Sequence, residues 1–319
     1  MMPPHPMLRI LTLLALLVLA GCSRQTIYQT ALDFERGRAD LEVSSLQIGE
    51  LTISYLSNPP IAGADTLVML HGFGANKDNW LRMAGYLTKD YNVYAFDLPG
   101  HGDSSKPLDI GYSIADQVAY VNAMLDQLGL GRVHMMGNSM GGAITALYAA
   151  TYPERVQSAV LFDPAGVFVY DSELVALVKQ GENPLIVKQP GDFERLVDFA
   201  LEQEPFVPWP IYSVMEERAI ANREVNERIF AAIRDSGYQP GFRDALERIT
   251  APVLVVWGRE DRITDYRNGI IFAERIPNAR LEVLDGVGHA PMIEIPRRSA
   301  TLVQEFIETA PDSGRVTQP

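Results

Sequence analysis

An α/β fold with a mostly parallel sheet of eight strands, flanked by helices, is predicted by three features of the sequence. Short apolar runs, which suit strands buried on both faces, alternate with segments whose apolar residues recur at helical spacing. Several of these runs end in loops that contain glycine. One long stretch, residues 167–249, has no strand pattern. This alternation predicts a sheet whose ligand-binding loops lie at the carboxyl ends of its strands.

The strands are expected in the following order. An antiparallel hairpin comes first, because apolar and polar residues alternate on both sides of a Gly-Glu turn, at residues 41–48 and 51–56. Continuous apolar runs then predict buried strands at residues 66–70, 92–98, 133–137, 159–163, 253–257 and 279–284. Helices are expected between them at residues 80–87, 114–128 and 143–150. We expect residues 43–166 and 250–310 to form the core, followed by a tail at 311–319.

Residues 167–249 are expected to form a helical insertion after the sixth strand. Because the insertion begins directly after a strand end, we expect it to lie above the site as a lid. Large apolar side chains alternate with prolines in residues 206–212, and these prolines should stiffen the segment and disfavour a regular helix through it. The side chains of Phe206, Trp209 and Ile211 are expected either to contact a lipid substrate or to pack onto the core as a hinge.

Composition excludes several classes of protein. The chain has 319 residues, of which 47% are hydrophobic, and a formal net charge of -13. An acidic surface does not suit nucleic-acid binding, which needs clustered Lys and Arg. The single cysteine excludes an internal disulfide and a cysteine-based metal site. We expect a monomer that uses no metal and no other cofactor.

The first residues have the pattern of a bacterial signal peptide. Arg9 precedes an apolar run at 10–20, which is too short to span a bilayer but suits a signal-peptide core. The Leu-Ala-Gly-Cys sequence that ends at Cys22 resembles a lipobox, which implies removal of residues 1–21 and acylation of Cys22. The alternative is an ordinary signal peptide with an incidental cysteine. Ser23 resembles the residue found in lipoproteins sent to the outer membrane, and residues 22–42 are expected to form a tether and a helical segment.

A Gly-x-Ser-x-Gly pentapeptide at residues 137–141 lies between an apolar strand and an alanine-rich helix. A serine forced into so sharp a strand-to-helix turn is strained and exposed, and the flanking glycines allow strand and helix to approach. Its position at a helix N-terminus favours developing negative charge. This context predicts a nucleophile elbow with Ser139 as the nucleophile, although the pentapeptide alone also occurs by chance in turns.

A nucleophilic serine needs a histidine base and a carboxylate that orients it. His289 follows the last predicted strand in a glycine-rich loop, and Asp261 follows the preceding strand. Three other acids compete with Asp261: the adjacent Glu260; Asp265, which is better interpreted as a helix N-cap; and Asp163, at the end of the strand before the insertion. Of the other histidines, we expect the one at position 134 in a buried strand and the one at position 101 in a structural turn.

The His-Gly-Phe-Gly sequence at residues 71–74 follows a predicted strand and predicts the second half of an oxyanion hole. Acyl transfer develops negative charge on the carbonyl oxygen, and two backbone N–H groups can stabilise it. The candidates are the N–H groups of Phe73 and Met140. An ordinary strand-to-helix turn would also need these glycines, and the same backbone can serve both purposes.

These motifs together resemble the α/β-hydrolase fold superfamily over about residues 51–307. The nucleophile, acid and base occur in its chain order, and the sequence Asp-Pro-Ala-Gly at 163–166 with the proline-rich insertion resembles membrane-associated monoacylglycerol lipases and a bacterial lipase family. The resemblance implies a serine carboxylester hydrolase that acts on acyl esters or lipids, bound to the bacterial cell envelope through its anchor. One alternative is carbon–carbon bond hydrolysis of ring-fission products by the same triad, and another is a non-catalytic envelope protein with this fold. Dehalogenases and epoxide hydrolases are disfavoured, because they use Asp at the position of Ser139.

Overall fold

The computed structural model describes residues 24–207, 209–237 and 240–310, and for residues 209, 235–237 and 240 it describes only the backbone. The predicted signal peptide, Cys22 and the predicted tail at 311–319 lie outside the described residues. None of the helices in the described part of the chain is long and apolar enough to cross a membrane.

The centre of the molecule is one sheet of eight strands in the order β1-β2-β4-β3-β5-β6-β7-β8. β1 and β2 form an antiparallel hairpin, β2 is antiparallel to β4, and the remaining neighbours are parallel. The sheet is therefore mostly parallel, as predicted. The strand bounds are β1 Glu42–Ile48, β2 Leu51–Ser57, β3 Thr66–Leu70, β4 Asn92–Phe96, β5 Val133–Asn138, β6 Val156–Phe162, β7 Val253–Gly258 and β8 Ala279–Leu284.

Twelve helices are seen in the described residues, and they lie on both sides of the sheet. Their bounds are α1 24–38, α2 Leu81–Ala84, α3 Ile114–Gln127, α4 Met140–Thr151, α5 Glu173–Lys179, α6 Asp192–Ala200, α7 Trp209–Ala221, α8 Arg223–Gly237, α9 Pro240–Leu246, α10 Asn268–Arg275, α11 Pro291–Glu294 and α12 Pro296–Thr309. The helix predicted at 80–87 is shorter than expected, because a 3-10 turn over Lys77–Trp80 occupies its start.

Strand β3 shows why the sheet is buried on both faces. Successive side chains of a strand point to opposite faces. Val68 and Leu70 contribute to the core that packs under α3, α4 and α10, whereas Leu67 and Met69 contribute to the core that packs under α2 and α12. All four side chains are fully buried. A continuous apolar run is thus the sequence that this central position requires.

Helices α5–α9 form an insertion between β6 and β7, and the described residues of the insertion contain no strand. One expectation about it holds only for its first residues: residues 206 and 207 are not helical, but a regular helix, α7, begins at Trp209 inside the segment 206–212. Pro210 occupies the first turn of α7, where a backbone N–H has no partner within the helix and proline is tolerated. Phe206, just before this helix, is 86% exposed, whereas Ile211 is half-buried.

Helix α1 is fixed to both the core and the insertion. The Arg36 guanidinium donates two hydrogen bonds of 2.8 Å to the carboxylate of Asp78, next to α2. At the other end of α1, Tyr28 is buried beneath the guanidinium of Arg218 in α7, 4.8 Å from its ring centroid. The segment that follows the predicted tether is therefore part of the folded domain.

Candidate active site

Ser139 lies in a strained turn between β5 and α4. Its backbone has φ 54° and ψ -115°, a region that residues with a side chain rarely adopt. A methyl group added at Gly137 would lie 2.1 Å from the carbonyl oxygen of Gly141, and one added at Gly141 would lie 2.1 Å from that of Leu70. Neither position has room for a side chain. The glycines of the pentapeptide thus allow the close approach of strand and helix that holds Ser139 in this turn.

The loop after β3 lies directly against the serine. A methyl group added at Gly72 would be 3.3 Å from Cβ of Ser139, so this backbone is in contact with the elbow. Phe73 and Met140, the two predicted oxyanion donors, line the same pocket as Ser139. Met140 is the first residue of α4, where a backbone N–H has no acceptor within its own helix. The pocket therefore brings both residues next to the serine.

His289 and Asp261 form a buried pair. Nδ1 of His289 lies 2.8 Å from Oδ2 of Asp261. The same Oδ2 accepts hydrogen bonds from Trp257 Nε1 at 3.2 Å and Thr264 Oγ1 at 2.6 Å, and Oδ1 accepts from the backbone N–H groups of Ile263 and Thr264 at 2.7 and 3.0 Å. These donors and the ring of His289 satisfy both oxygens of the carboxylate. The proton of His289 is thus assigned to Nδ1, which leaves Nε2 as the acceptor.

The elbow and the histidine loop are joined directly. The side-chain amide of Asn138, the residue before the serine, donates a hydrogen bond of 2.9 Å to the backbone oxygen of His289. The same amide lies 3.3 Å from the backbone oxygen of Phe162, at the end of β6. This hydrogen bond therefore fixes the loop of His289 against the turn that carries Ser139, although the two bonded residues are 151 positions apart in the sequence.

The three competing acids have other partners. Glu260 accepts a hydrogen bond from the backbone N–H of Val287 at 3.1 Å. Asp265 is not the N-cap that the sequence suggested: α10 begins three residues later, and the Asp265 carboxylate binds the side chain and backbone N–H of Arg267. Such an Asx turn competes locally with helix capping. Asp163 is completely buried beside Asp261, and Oδ1 of Asp163 accepts the backbone N–H of Gly258 at 2.7 Å.

Sequence reasoning missed the group that holds the histidine loop. Both carboxylate oxygens of Glu294 in α11 accept backbone N–H groups of this loop, those of Gly288 at 3.0 Å and Ala290 at 3.1 Å. Glu294 also accepts the N–H groups of residues 202 and 203, just after α6. The N–H of His289 itself donates to the Ala200 oxygen at 2.8 Å. An acid five residues after the histidine, at the end of a short helix, was the available signal.

A mostly apolar pocket opens at Ser139. Its floor comes from the core and its roof from the insertion, where the ring of Phe230 in α8 packs on Phe73 at a centroid distance of 5.6 Å. The residues contributed by the insertion and the segment before it are Phe168, Leu174, Val175, Val178, Leu185, Phe230, Ile233, Arg234 and Phe242. Such a lining suits an extended hydrocarbon group.

A buried polar group supports the loop after β3. The Lys77 ammonium is completely buried and lies 2.7 Å from carboxylate oxygens of Asp97 and Asp103. Next to it, the rings of His71 and His101 lie 4.9 Å apart. Burial lowers the pKa of His71 to about 4 and that of His101 to about 3, so both are neutral at physiological pH. These groups fix loops and do not transfer protons to a substrate.

The remaining candidates have structural positions. His101 lies in a turn and its Nδ1 donates to the Pro99 oxygen at 3.2 Å, in agreement with the expected structural role. His134 is buried in β5, with Nδ1 2.7 Å from Oγ of Ser158.

Among the described residues, one cluster could bring three metal-binding groups together, and it consists of Asp163, Asp261 and His289, whose ligand atoms lie within 4.8 Å of one another. Both oxygens of Asp261 already accept N–H or O–H donors, one of them from His289 Nδ1. The cluster is therefore arranged for proton transfer.

Comparison with known proteins relates this geometry to characterised enzymes. The family described as the alpha/beta hydrolase fold matches residues 65–296. Lipase 1 of Psychrobacter immobilis is 34% identical over 285 residues, which cover 87% of this chain and 88% of that protein. Monoacylglycerol lipase abhd6-B of Xenopus laevis is 29% identical over 280 residues, covering 84% and 83%.

A solved structure described as a membrane phospholipase A and bacterial virulence factor is similar over almost the whole chain. The two share 40% sequence identity with a TM-score of 0.88, covering 94% of this chain and 97% of that one. Sequence similarity of this extent, together with the sheet topology and the pocket at the serine, identifies the chain as a member of the alpha/beta-hydrolase fold family and an enzyme of the lipase or esterase type.

Proposed function

We propose that this protein is a lipid-anchored serine lipase that hydrolyses monoacylglycerols or other medium-chain acyl esters through an acyl-enzyme on Ser139. The observation that carries the proposal is the apolar pocket that opens directly at the serine, with the buried pair of His289 and Asp261 beside it. The names of the relatives, which include a monoacylglycerol lipase and a membrane phospholipase A, support a lipid ester as substrate.

In the proposed reaction, Oγ of Ser139 attacks the ester carbonyl carbon while Nε2 of His289 takes the hydroxyl proton. Asp261 stabilises the imidazolium that forms and keeps its own charge. The backbone N–H groups of Phe73 and Met140 stabilise the oxyanion, and the loss of one such donor typically costs about 3–4 kcal/mol of transition-state stabilisation. His289 then gives the proton to the alcohol leaving group, and water, activated by the same histidine, releases the fatty acid from Ser139.

The insertion is proposed to act as the lid over the acyl chain. Helices α5, α8 and α9 supply six of the apolar residues that line the pocket, so an acyl chain bound at Ser139 would lie against them. The exposed Phe206 and the half-buried Ile211 stand at the start of α7, where they could contact lipid at the entrance. Trp209, whose side chain lies outside the described residues, is proposed to act with them.

The proposed anchor is an acylated Cys22, which would hold the enzyme at the bacterial outer membrane. Two or three acyl chains give stable anchoring, whereas one chain gives only marginal binding. Support comes from α1, which is already helical at Arg24, the first described residue, two positions after the cysteine, and which is fixed to the domain through Arg36 and Tyr28. An anchor there would keep the pocket close to the membrane surface.

The test compares wild type, Ser139→Ala and the control Ser45→Ala, whose serine lies on the edge strand β1. A fluorophosphonate probe should label wild type and the control and leave Ser139→Ala unlabelled, because the probe reacts with an activated serine hydroxyl. Rates on p-nitrophenyl esters should rise from acetate to medium chain lengths, since a longer chain buries more apolar area. Labelling of Ser139→Ala, or rates highest on acetate, would contradict the proposal, while hydrolysis of a ring-fission product in preference to any ester would favour carbon–carbon bond hydrolysis.

A further inference from the structure

Asp163 is a buried carboxyl group that the reaction proposed above does not use. It follows β6, has φ 45° and is completely buried. Its Oδ1 accepts the backbone N–H of Gly258, whereas its buried Oδ2 accepts no N–H or O–H donor among the described residues. A buried carboxylate oxygen that lacks a donor is unfavourable, so its presence needs an explanation.

The position of Asp163 beside the triad supplies that explanation. An oxygen of Asp163 lies within 4.8 Å of both the carboxylate of Asp261 and a ring nitrogen of His289. Two carboxyl groups this close in the protein interior cannot both be charged without a large repulsion. The pair therefore holds one negative charge and one proton at physiological pH.

The proton belongs on Asp163. The carboxylate of Asp261 accepts four hydrogen bonds from Trp257, Ile263 and Thr264, in addition to that of His289. Asp163 accepts one. Burial, and then the charge of Asp261, raise the pKa of Asp163 well above its usual range, and Glu294 acts in the same direction. The titratable groups that face Asp163 are thus Asp261, His289 and Glu294.

We propose that Asp163 is a positioning residue that acts as a reserve acid: it holds the proton of the pair while Asp261 is charged, and it carries the negative charge when Asp261 is neutral. The proposal rests on the triad proposed above. When Asp261 is replaced by a neutral isostere, the repulsion on Asp163 disappears and its pKa falls, although burial still holds that pKa above its usual range, so Asp163 releases its proton to water as the pH rises. One negative charge then still faces the imidazolium of His289, now through space and without the hydrogen bond at Nδ1.

A purely structural role makes a different prediction. Asp163 could serve only to bind the Gly258 N–H and to accommodate the left-handed turn at the end of β6. Asparagine accepts the same N–H through its side-chain oxygen and tolerates φ > 0 as well as aspartate does. Asp163→Asn therefore removes the ionisable group and keeps both structural functions.

The experiment measures kcat/KM on one ester for wild type, Asp163→Asn, Asp261→Asn and the double variant, from about pH 5 to about pH 10. In Asp261→Asn, kcat/KM should fall by about 10³–10⁴-fold, because triad members act as a unit. In the double variant, kcat/KM should fall at least about a further tenfold. The pH profile of kcat/KM for Asp261→Asn should contain an ionisation that the profile of the double variant lacks. As a matched control, Glu260→Gln combined with Asp261→Asn should leave the residual activity unchanged, since the Glu260 carboxylate binds Val287 instead.

Equal activity and equal pH profiles for Asp261→Asn and the double variant would overturn the proposal that Asp163 is a reserve acid. A failure of the triad itself looks different: Asp261→Asn would then show little loss. If a variant at position 163 does not fold, infrared spectroscopy of wild type and Asp261→Asn decides the question. A protonated carboxyl band should be present in wild type at neutral pH and should disappear from Asp261→Asn at a lower pH than from wild type, and its absence from wild type at neutral pH, or equal behaviour in the two proteins, would overturn the proposal.

Discussion

Replacing Ser139 by glycine should make the protein more stable while it abolishes activity. A residue with a side chain held in so sparsely populated a backbone region costs about 1–3 kcal/mol. Glycine adopts such a backbone without that strain, but its greater freedom in the unfolded chain offsets about 0.5–1 kcal/mol of the gain. The net stabilisation should be about 1–2 kcal/mol, which corresponds to a rise in Tm of about 2–3 °C for a domain of this size.

The comparison that isolates the backbone effect is with Ser139→Ala. Alanine also lacks the hydroxyl and is inactive, yet it keeps Cβ and therefore keeps the strain. Thermal unfolding followed by circular dichroism should place the Tm of Ser139→Gly above that of Ser139→Ala. In the control Ser45→Gly, glycine replaces a residue of strand β1 and should lower the free energy of unfolding by about 0.5–1 kcal/mol.

A Tm of Ser139→Gly equal to or below that of Ser139→Ala would refute the reasoning. It would mean that the elbow backbone relaxes without cost when a side chain is present. The glycine variant would then be destabilised by its unfolded-state entropy alone, as expected at an ordinary position.

Three further results are expected. When serine replaces Phe206, Trp209 and Ile211, activity on medium- and long-chain acylglycerols should fall far more than activity on acetate esters. Phe34→Ser in α1 is the control for the loss of an exposed phenylalanine. Equal losses on both substrates would indicate a structural role for the segment. Cys22→Ser should leave the precursor unprocessed or move the protein out of the membrane fraction, and a mature chain without acyl mass in mass spectrometry would contradict the anchor. As the pH is lowered below about 6.5, His71 and His101 should each reduce the free energy of unfolding by about 1.4 kcal/mol per pH unit. The unfolded chain binds their protons in this range, whereas the folded chain binds them only at about pH 4 for His71 and about pH 3 for His101. Urea unfolding at several pH values should show that the free energy of unfolding decreases less at low pH in His101→Asn than in wild type. An equal decrease in both proteins would contradict the lowered pKa of His101.

The sheet could be predicted well because its central strands need apolar residues on both faces. The predicted bounds of β3 and β8 agree with the structure, since turn residues delimit both runs. β6 begins three residues earlier than predicted, at Val156. Polar residues interrupt the apolar pattern there, but Ser158 lies inside the sheet because its hydroxyl pairs with His134 of β5. A polar residue whose partner is on the neighbouring strand cannot be recognised from periodicity alone.

The site could be predicted only in part, for a related reason. Ser139, Asp261 and His289 follow strand ends, and parallel strands bring their carboxyl ends to one edge of the sheet. The supporting groups follow no such rule. Glu294 and Thr264 act through contacts with backbone and side chains that depend on the folded paths of loops. The buried charge of Lys77 depends in the same way on carboxylates 20 and 26 residues away in the sequence.

The hydrogen bonds between the histidine loop and the end of α6 mean that the insertion is not a separable module. An exchange of this insertion between related hydrolases, by recombination or in the laboratory, would naturally cut the chain near the end of β6 and the start of β7. Such a graft would remove the Ala200 oxygen that binds the N–H of His289 and the two N–H groups that occupy Glu294. The imported segment must therefore restore these bonds around positions 200–203 for the base to keep its place, which couples the evolution of substrate choice to that of the catalytic centre.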